Sequence, residues 1–187
     1  MSRWEPGSRG RLIEAAFDLF ERQGFAQTTV PQIAAAAGVT NRTFYRHFGD
    51  KRDVVFDTDR DGADALRDAL VAADSGLSSS EFVALAIREL MRERFDGRRD
   101  EERRRRLIID SDESLRERAA HKRERQHALL GAILRERGFD PMHARLLAET
   151  MTSAMNLAVD EWLSRDDRVR VEYLALDALA VLRGDLG

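Results

Sequence analysis

Three glycines, Gly24, Gly38 and Gly49, cut the first fifty residues into short segments, and between the cuts the apolar residues recur at helical spacing. A segment punctuated this closely can fold only as a tight cluster of short helices. Leu12, Ile13, Ala16, Phe17, Leu19 and Phe20 fall three and four apart and predict an amphipathic helix from about residue 9 to 23. Gly24 can take the left-handed backbone conformation that ends it, and Phe25 can fold back on the last turn. Thr29 and Gln32 have the spacing of a capping box, with Pro31 in the first turn where its missing N–H is tolerated. The helix they open runs through Ile33 and the four alanines Ala34 to Ala37. Thr40 is the N-cap of a third helix carrying Asn41 to Phe48. Asp50 caps a fourth, predicted to continue past Gly62 to about Ala73.

Two short helices joined at Gly38 and packed through alanines have the proportions of a helix-turn-helix. At 100° per residue, Phe44 and Phe48 share one side of the third helix, while Arg42 and Arg46 fall nearly opposite, flanked by Thr43 and Tyr45. Guanidinium groups bind phosphate in a fork or read the O6 and N7 edge of guanine, and short Thr and Asn side chains reach base edges and methyl groups. This face suits the major groove of DNA. Backbone amides at the helix starts behind Thr29 and Asp50 are placed to hold phosphates on either side, with Lys51 at the second of them. Residues 39–52 hold four cationic side chains and one acid, within a chain of net charge −3. That asymmetry turns the third helix, and not the rest of the molecule, toward a polyanion.

Ala15-Ala16-Phe17-Asp18-Leu19-Phe20, Gly24-Phe25, Thr28-Thr29-Val30, the run Ile33 to Val39, Thr43-Phe44-Tyr45-Arg46-His47-Phe48 and Lys51 together resemble the TetR family of bacterial transcriptional regulators. The resemblance covers roughly residues 9 to 60. It implies a homodimer, a palindromic double-stranded DNA operator and repression relieved by a small-molecule effector of unknown identity. It also implies that Thr29, Thr40, Asn41, Arg42, Thr43, Tyr45, His47 and Lys51 stand where members contact DNA; the helical wheel adds Arg46. Pro31 stands where a polar residue is common in the family.

The remainder also reads as helical. Ser78 and Glu81 form a capping box before a helix with Phe82, Leu85, Ala86, Leu90 and Phe95 along one side. Residues 92–106 are dense in charge and include the run Arg103 to Arg106, read first as a solvated face and otherwise as a site for phosphates, of DNA or of an acyl-thioester cofactor. A long helix to Arg137 follows, then one opened by Asp140-Pro141 and a last one from about 168 to 183. In that last helix Leu174, Ala175, Ala178, Leu182 and their apolar neighbours leave Asp177 as the only interruption, so it must be covered on more than one side. Leu147, Met151, Ala154 and Ala158 make a comparable stripe on the helix before it; paired with symmetry mates, the two helices would form a four-helix dimer interface. Leu66, Leu90, Met155 and Trp162 are candidates for lining an effector cavity. The expectation is an all-α chain of about nine helices: a three-helix helix-turn-helix domain over residues 1–50, and a larger helical domain over 51–187 that dimerises and holds a ligand.

Composition narrows the alternatives. The 187 residues contain no cysteine, which removes disulfides and thiolate chemistry, and no apolar stretch long enough for a transmembrane helix or a signal peptide, so a cytoplasmic protein with no membrane partner is expected. No Gly-x-Ser-x-Gly or glycine-rich phosphate loop occurs, and His47, His121, His127 and His143 lack metal-ligand spacing, so no enzyme, metal or cofactor is expected. Asp57-Thr58-Asp59-Arg60-Asp61-Gly62 begins like a calcium loop, but its twelfth position is Asp68 and the segment continues a helix. Two rival readings remain: a helical scaffold whose basic helix meets an acidic protein, and an architectural DNA binder that senses nothing.

Overall fold

A computed structural model describes residues 7–57, 76–165 and 168–184. These residues form nine α-helices and no strand: α1 (Ser8–Gln23), α2 (Val30–Ala36), α3 (Asn41–His47), α4 (Lys51–Val55), α5 (Ser79–Phe95), α6 (Arg99–Asp110), α7 (Glu113–Glu136), α8 (Pro141–Ser164) and α9 (Val171–Gly184). The fourth helix, expected to run on to Ala73, stops at Val55 with Phe56 in a turn; the rest of that stretch, most of the calcium-like run and Leu66 lie outside the described residues. Asp57, at its start, is buried and ion-paired to Arg9 at 2.6 Å. The chain divides into two compact units, Met1–Arg60 with Arg103–Ala119, and Asp61–Glu102 with Ala120–Gly187.

In the first unit local chemistry sets the helix ends. The Thr29 hydroxyl accepts the N–H of Gln32 while the Gln32 side chain accepts the N–H of Thr29 at 2.8 Å, a reciprocal pair that closes the start of α2. Asp50 and Asp53 do the same for α4. At the end of α2, Gly38 has φ +66°, and the N–H groups of Gly38 and Val39 bond to the carbonyls of Ala35 and Ala34, a Schellman stop that turns the chain sharply into α3. Only a residue without Cβ takes that backbone conformation freely. Around this frame Leu12, Ala16, Phe17, Phe20, Phe25, Ile33, Ala34, Phe44, Phe48, Val54 and Val55 bury together, joined by Ile108 from α6 and Leu115 from α7.

The second unit has its own core. Phe82, Ile87 and Met91 of α5, Leu134 of α7, Ala148 and Met151 of α8 and Ala175 of α9 are buried in one cluster, with α9 packed on α8 and α5. Ser78 and Glu81 form the expected capping box, and the hydrogen bonds from the Ser78 hydroxyl and N–H hold the Glu81 carboxyl below the usual range. Of the positions assigned by sequence to a dimer interface, Met151, Ala154, Ala158 and Ala175 are buried by the chain itself. Leu147, Leu174 and Ala178 are half-buried, and the side chain of Leu182 lies outside the described residues. Among the described residues, the large apolar side chains that these two helices leave exposed are Met142, Leu146, Leu157 and Tyr173. Trp162 is buried, edge-on to Phe95 at 5.8 Å, with the Arg99 guanidinium 5.4 Å from its ring. Leu90 and Met155 are half-buried against the same core.

Candidate nucleic-acid interface

Helix α3 is anchored by aromatic burial. Phe44 is fully buried and Phe48 nearly so, their rings 5.5 Å apart. This fixes the helix about its own axis, because rotating it would expose one ring or bury an arginine. On the opposite side Arg42, Tyr45 and Arg46 are exposed, and Tyr45, 58% accessible, stands edge-on to Phe44 at 84°. Thr40, Arg42, Thr43, Tyr45 and Arg46 line one shallow depression. Thr40 caps the helix by accepting the N–H of Thr43 at 3.2 Å, and the two hydroxyls lie 3.1 Å apart. Five of the nine residues assigned to DNA by sequence thus share one surface, with Asn41 exposed on its flank.

The other three play different parts. His47 is half-buried at the end of α3, its Nε2 2.9 Å from the Ser8 hydroxyl and 3.4 Å from an Arg46 nitrogen. Thr29 is exposed, with its hydroxyl and its N–H committed to the capping box. Lys51 turns inward: Nζ donates to the carbonyls of Phe25 at 2.7 Å, Thr28 at 2.9 Å and Ala26 at 3.3 Å, and sits 4.3 Å from the centre of the Phe25 ring. Burial pushes this ammonium below the usual lysine value, against the pull of Asp112. All three donors are spent on the turn between α1 and α2. Likewise the two capping boxes spend part of the amides that sequence offered to phosphates at the starts of α2 and α4.

The contacts made by the first residues of α1 were not foreseen from the sequence. Besides Ser8 to His47, Arg9 reaches Asp57, and Arg11 Nε donates to the carbonyl of Ala37 at 3.2 Å, so three residues of the first turn tie α1 to α3, to the segment just past α4 and to the end of α2. One signal was available: α1 opens with arginines and no acid, the reverse of what a helix N-terminus favours, so those charges needed partners elsewhere. A second network lies further along α1. Arg104 donates to Glu21 and Asp18 at 2.5 Å each and to Glu14 at 3.2 Å, above the Phe17 ring. Burial works against its charge, and the hydrogen bonds it donates to Glu21 and Asp18 outweigh that, leaving this guanidinium above the usual arginine value. Arg118 pairs with Asp53, and Arg106 with Asp110 at 3.1 Å. Part of the arginine run is therefore committed to carboxylates of the protein. Among the described residues no cluster of His, Asp and Glu is placed to hold a metal ion, and no helix is long and apolar enough to cross a membrane.

Residues 12–58 match the model of the bacterial regulatory proteins of the tetR family. The HTH-type transcriptional regulator TcmR of Streptomyces glaucescens is 36% identical over 90 residues, 48% of this chain and 40% of that protein. The chain spans less than half the length of the curated relatives it matches. Among solved structures, Thermus thermophilus FadR, a TetR-family repressor in complex with lauroyl-CoA, superposes with TM-score 0.57 at 24% identity over 94% of this chain and 93% of that one. Bacillus subtilis FadR in complex with stearoyl-CoA gives 0.61 at 22% identity over 92% and 96%. At these identities the likeness is one of fold.

Proposed function

We propose, on the premise that the chain belongs through residues 12–58 to the tetR family of bacterial regulatory proteins, that it is a homodimeric transcriptional regulator which sets α3 into the major groove of a palindromic operator. The observation that carries this reading is the two-sided character of α3, with Phe44 and Phe48 buried and Arg42, Thr43, Tyr45 and Arg46 gathered on the outer surface. Residues 1 to about 50 bind DNA in this account, and residues 51–187 pair the two protomers and hold a small-molecule effector. Two copies of α3 must then stand about 34–36 Å apart to enter successive major grooves. An effector that binds more tightly to a dimer with another spacing withdraws the protein from its operator; one that binds both arrangements equally shifts nothing.

The dimer interface in this reading runs along α8 and α9, around Leu147, Leu174, Ala178 and Leu182, extended by the exposed Leu146, Leu157 and Tyr173 of the same helices. The effector sits near Leu66, Leu90, Met155 and Trp162. Because two proteins of like fold are bound to lauroyl-CoA and stearoyl-CoA, long-chain acyl-CoA is the first class to titrate.

Selection of binding sites from a pool of random duplexes tests the reading. It predicts an inverted repeat whose affinity falls steeply as salt rises, with a slope near −0.9 for each phosphate neutralised. A scaffold that meets an acidic protein would enrich no sequence. An architectural binder would hold DNA without a palindrome and without response to any effector.

A further inference from the structure

We infer that Arg42 selects a guanine in each operator half-site, whereas Arg46, one turn along the same ridge of α3, supplies phosphate affinity without sequence preference. This rests on the DNA-binding reading above and assigns the division of labour within that site. The two guanidinium groups are four residues apart on a helix with no acid in its first turn, and both are exposed. Their surroundings differ. Arg46 has a nitrogen 3.4 Å from His47 Nε2, which is itself 2.9 Å from the Ser8 hydroxyl, so it is drawn toward the C-terminal end of α3, where α1 begins. Arg42 makes no hydrogen bond or ion pair among the described residues. Beside it the Thr40 and Thr43 hydroxyls lie 3.1 Å apart and Thr40 also accepts the Thr43 N–H.

Position decides what these two environments can read. A recognition helix enters the major groove with its N-terminal residues against the base edges, and the later residues pass closer to the backbone. Arg42 is the second residue of α3 and Arg46 the sixth. An untethered guanidinium at the leading end keeps its planar fork of five donors for a ligand, and the partner that fork fits within the groove is the O6 and N7 acceptor pair of guanine. At the trailing end a guanidinium already held on one side has fewer donors to offer, and a single charge facing a phosphate needs no more. Thr43 and Tyr45 line the same depression as Arg42.

The test compares wild type, Arg42→Ala, Arg42→Lys and Arg46→Ala on the selected operator and on a panel with every base pair of one half-site replaced in turn. Wild type should lose roughly tenfold to hundredfold when one particular G·C pair is changed, and a similar amount when that guanine is replaced by 7-deazaguanine, which removes N7 and keeps base pairing. Arg42→Ala should be indifferent to both changes while still binding duplex DNA, and Arg42→Lys, whose ammonium can still donate to O6 and N7, should keep a reduced preference. Arg46→Ala should keep the full base preference and weaken all sequences alike, with a salt slope reduced by about one per protomer. A selected operator with no guanine to which Arg42→Ala becomes indifferent, or a preference erased by Arg46→Ala instead, overturns the assignment and leaves DNA binding standing. If wild type enriches no duplex at all, the assignment and the functional reading fall together.

Discussion

Replacing Phe44 by alanine should loosen the first unit and leave the second intact. Phe44 is wholly buried, its ring lies 5.5 Å from those of both Phe48 and Tyr45, and it is the one fully buried residue of α3. Phe→Ala in a packed core costs about 3–5 kcal/mol, from lost transfer energy and the cavity left behind. Domains retain only roughly 0.05–0.15 kcal/mol per residue, so such a loss removes a large share of the stability of a unit of this size. At about 1.4 kcal/mol per factor of ten, opening should become roughly a hundredfold to several thousandfold more frequent. Native-state amide hydrogen exchange reads this residue by residue. The N–H groups of Phe44 and Phe48, bonded to the carbonyls of Thr40 and Phe44, should lose protection by that factor together with the amides of α1. Amides of α5, α8 and α9 should change little, because Phe44 belongs to the other core cluster. Equal loss of protection in both clusters, or none in α3, would refute the argument that this ring anchors the helix within an independent core.

Three further outcomes follow from the same geometry. Lys51→Met should lower the melting temperature measured by calorimetry, by an amount equivalent to about 1–3 kcal/mol, since the carbonyls of Phe25, Ala26 and Thr28 lose a charged donor; an unchanged melting point with weakened DNA binding would instead make Lys51 a phosphate contact. Arg104→Met should destabilise the first unit by about 1–2 kcal/mol in urea titrations, because partly exposed pairs are each worth under about 1 kcal/mol and the carboxylates of Glu14, Asp18 and Glu21 are left facing one another, while Arg106→Met should cost less. The hydroxyl of Ser114, with the amides of Ser114 and Leu115, holds the Asp112 carboxyl below the ordinary aspartate value of 3.8. A depressed pKa gives stability that is complete above that ordinary value and lost as pH falls through the folded one, so Asp112→Asn should lower stability near neutrality and flatten the acid limb of a stability-against-pH curve, the two proteins converging at low pH.

The parts of this molecule legible in its sequence are those decided within a few residues. The capping boxes at Thr29 and Ser78, the caps at Thr40, Asp50 and Asp140, and the inward turn of Phe44 and Phe48 each depend on a spacing of two to four residues, and each is present. Contacts between distant positions left no such trace. Arg104 reaches α1 across 83 to 90 residues of chain and Arg118 reaches Asp53 across 65, and a run of arginines reads the same whether solvated or paired. Lys51 stood at a helix start, as a phosphate contact would, and only the folded turn shows three carbonyls within its reach. A helical wheel likewise marks Met151, Ala154 and Ala158 as an apolar stripe without saying which neighbour covers it; in the fold it is the chain's own core. The residues proposed to hold an effector carry no local signature, because a cavity is made by whichever side chains distant helices bring together.

The central claim is that DNA meets this protein on the outer face of α3. Fluorescence anisotropy of a labelled operator duplex at low salt, comparing wild type with Arg42→Glu/Arg46→Glu, tests it most directly, because both positions are exposed and reversing them leaves the Phe44 and Phe48 anchor in place. The account predicts binding by wild type and none by the variant at matched helical content and melting temperature. A variant that binds the operator as tightly as wild type would contradict it.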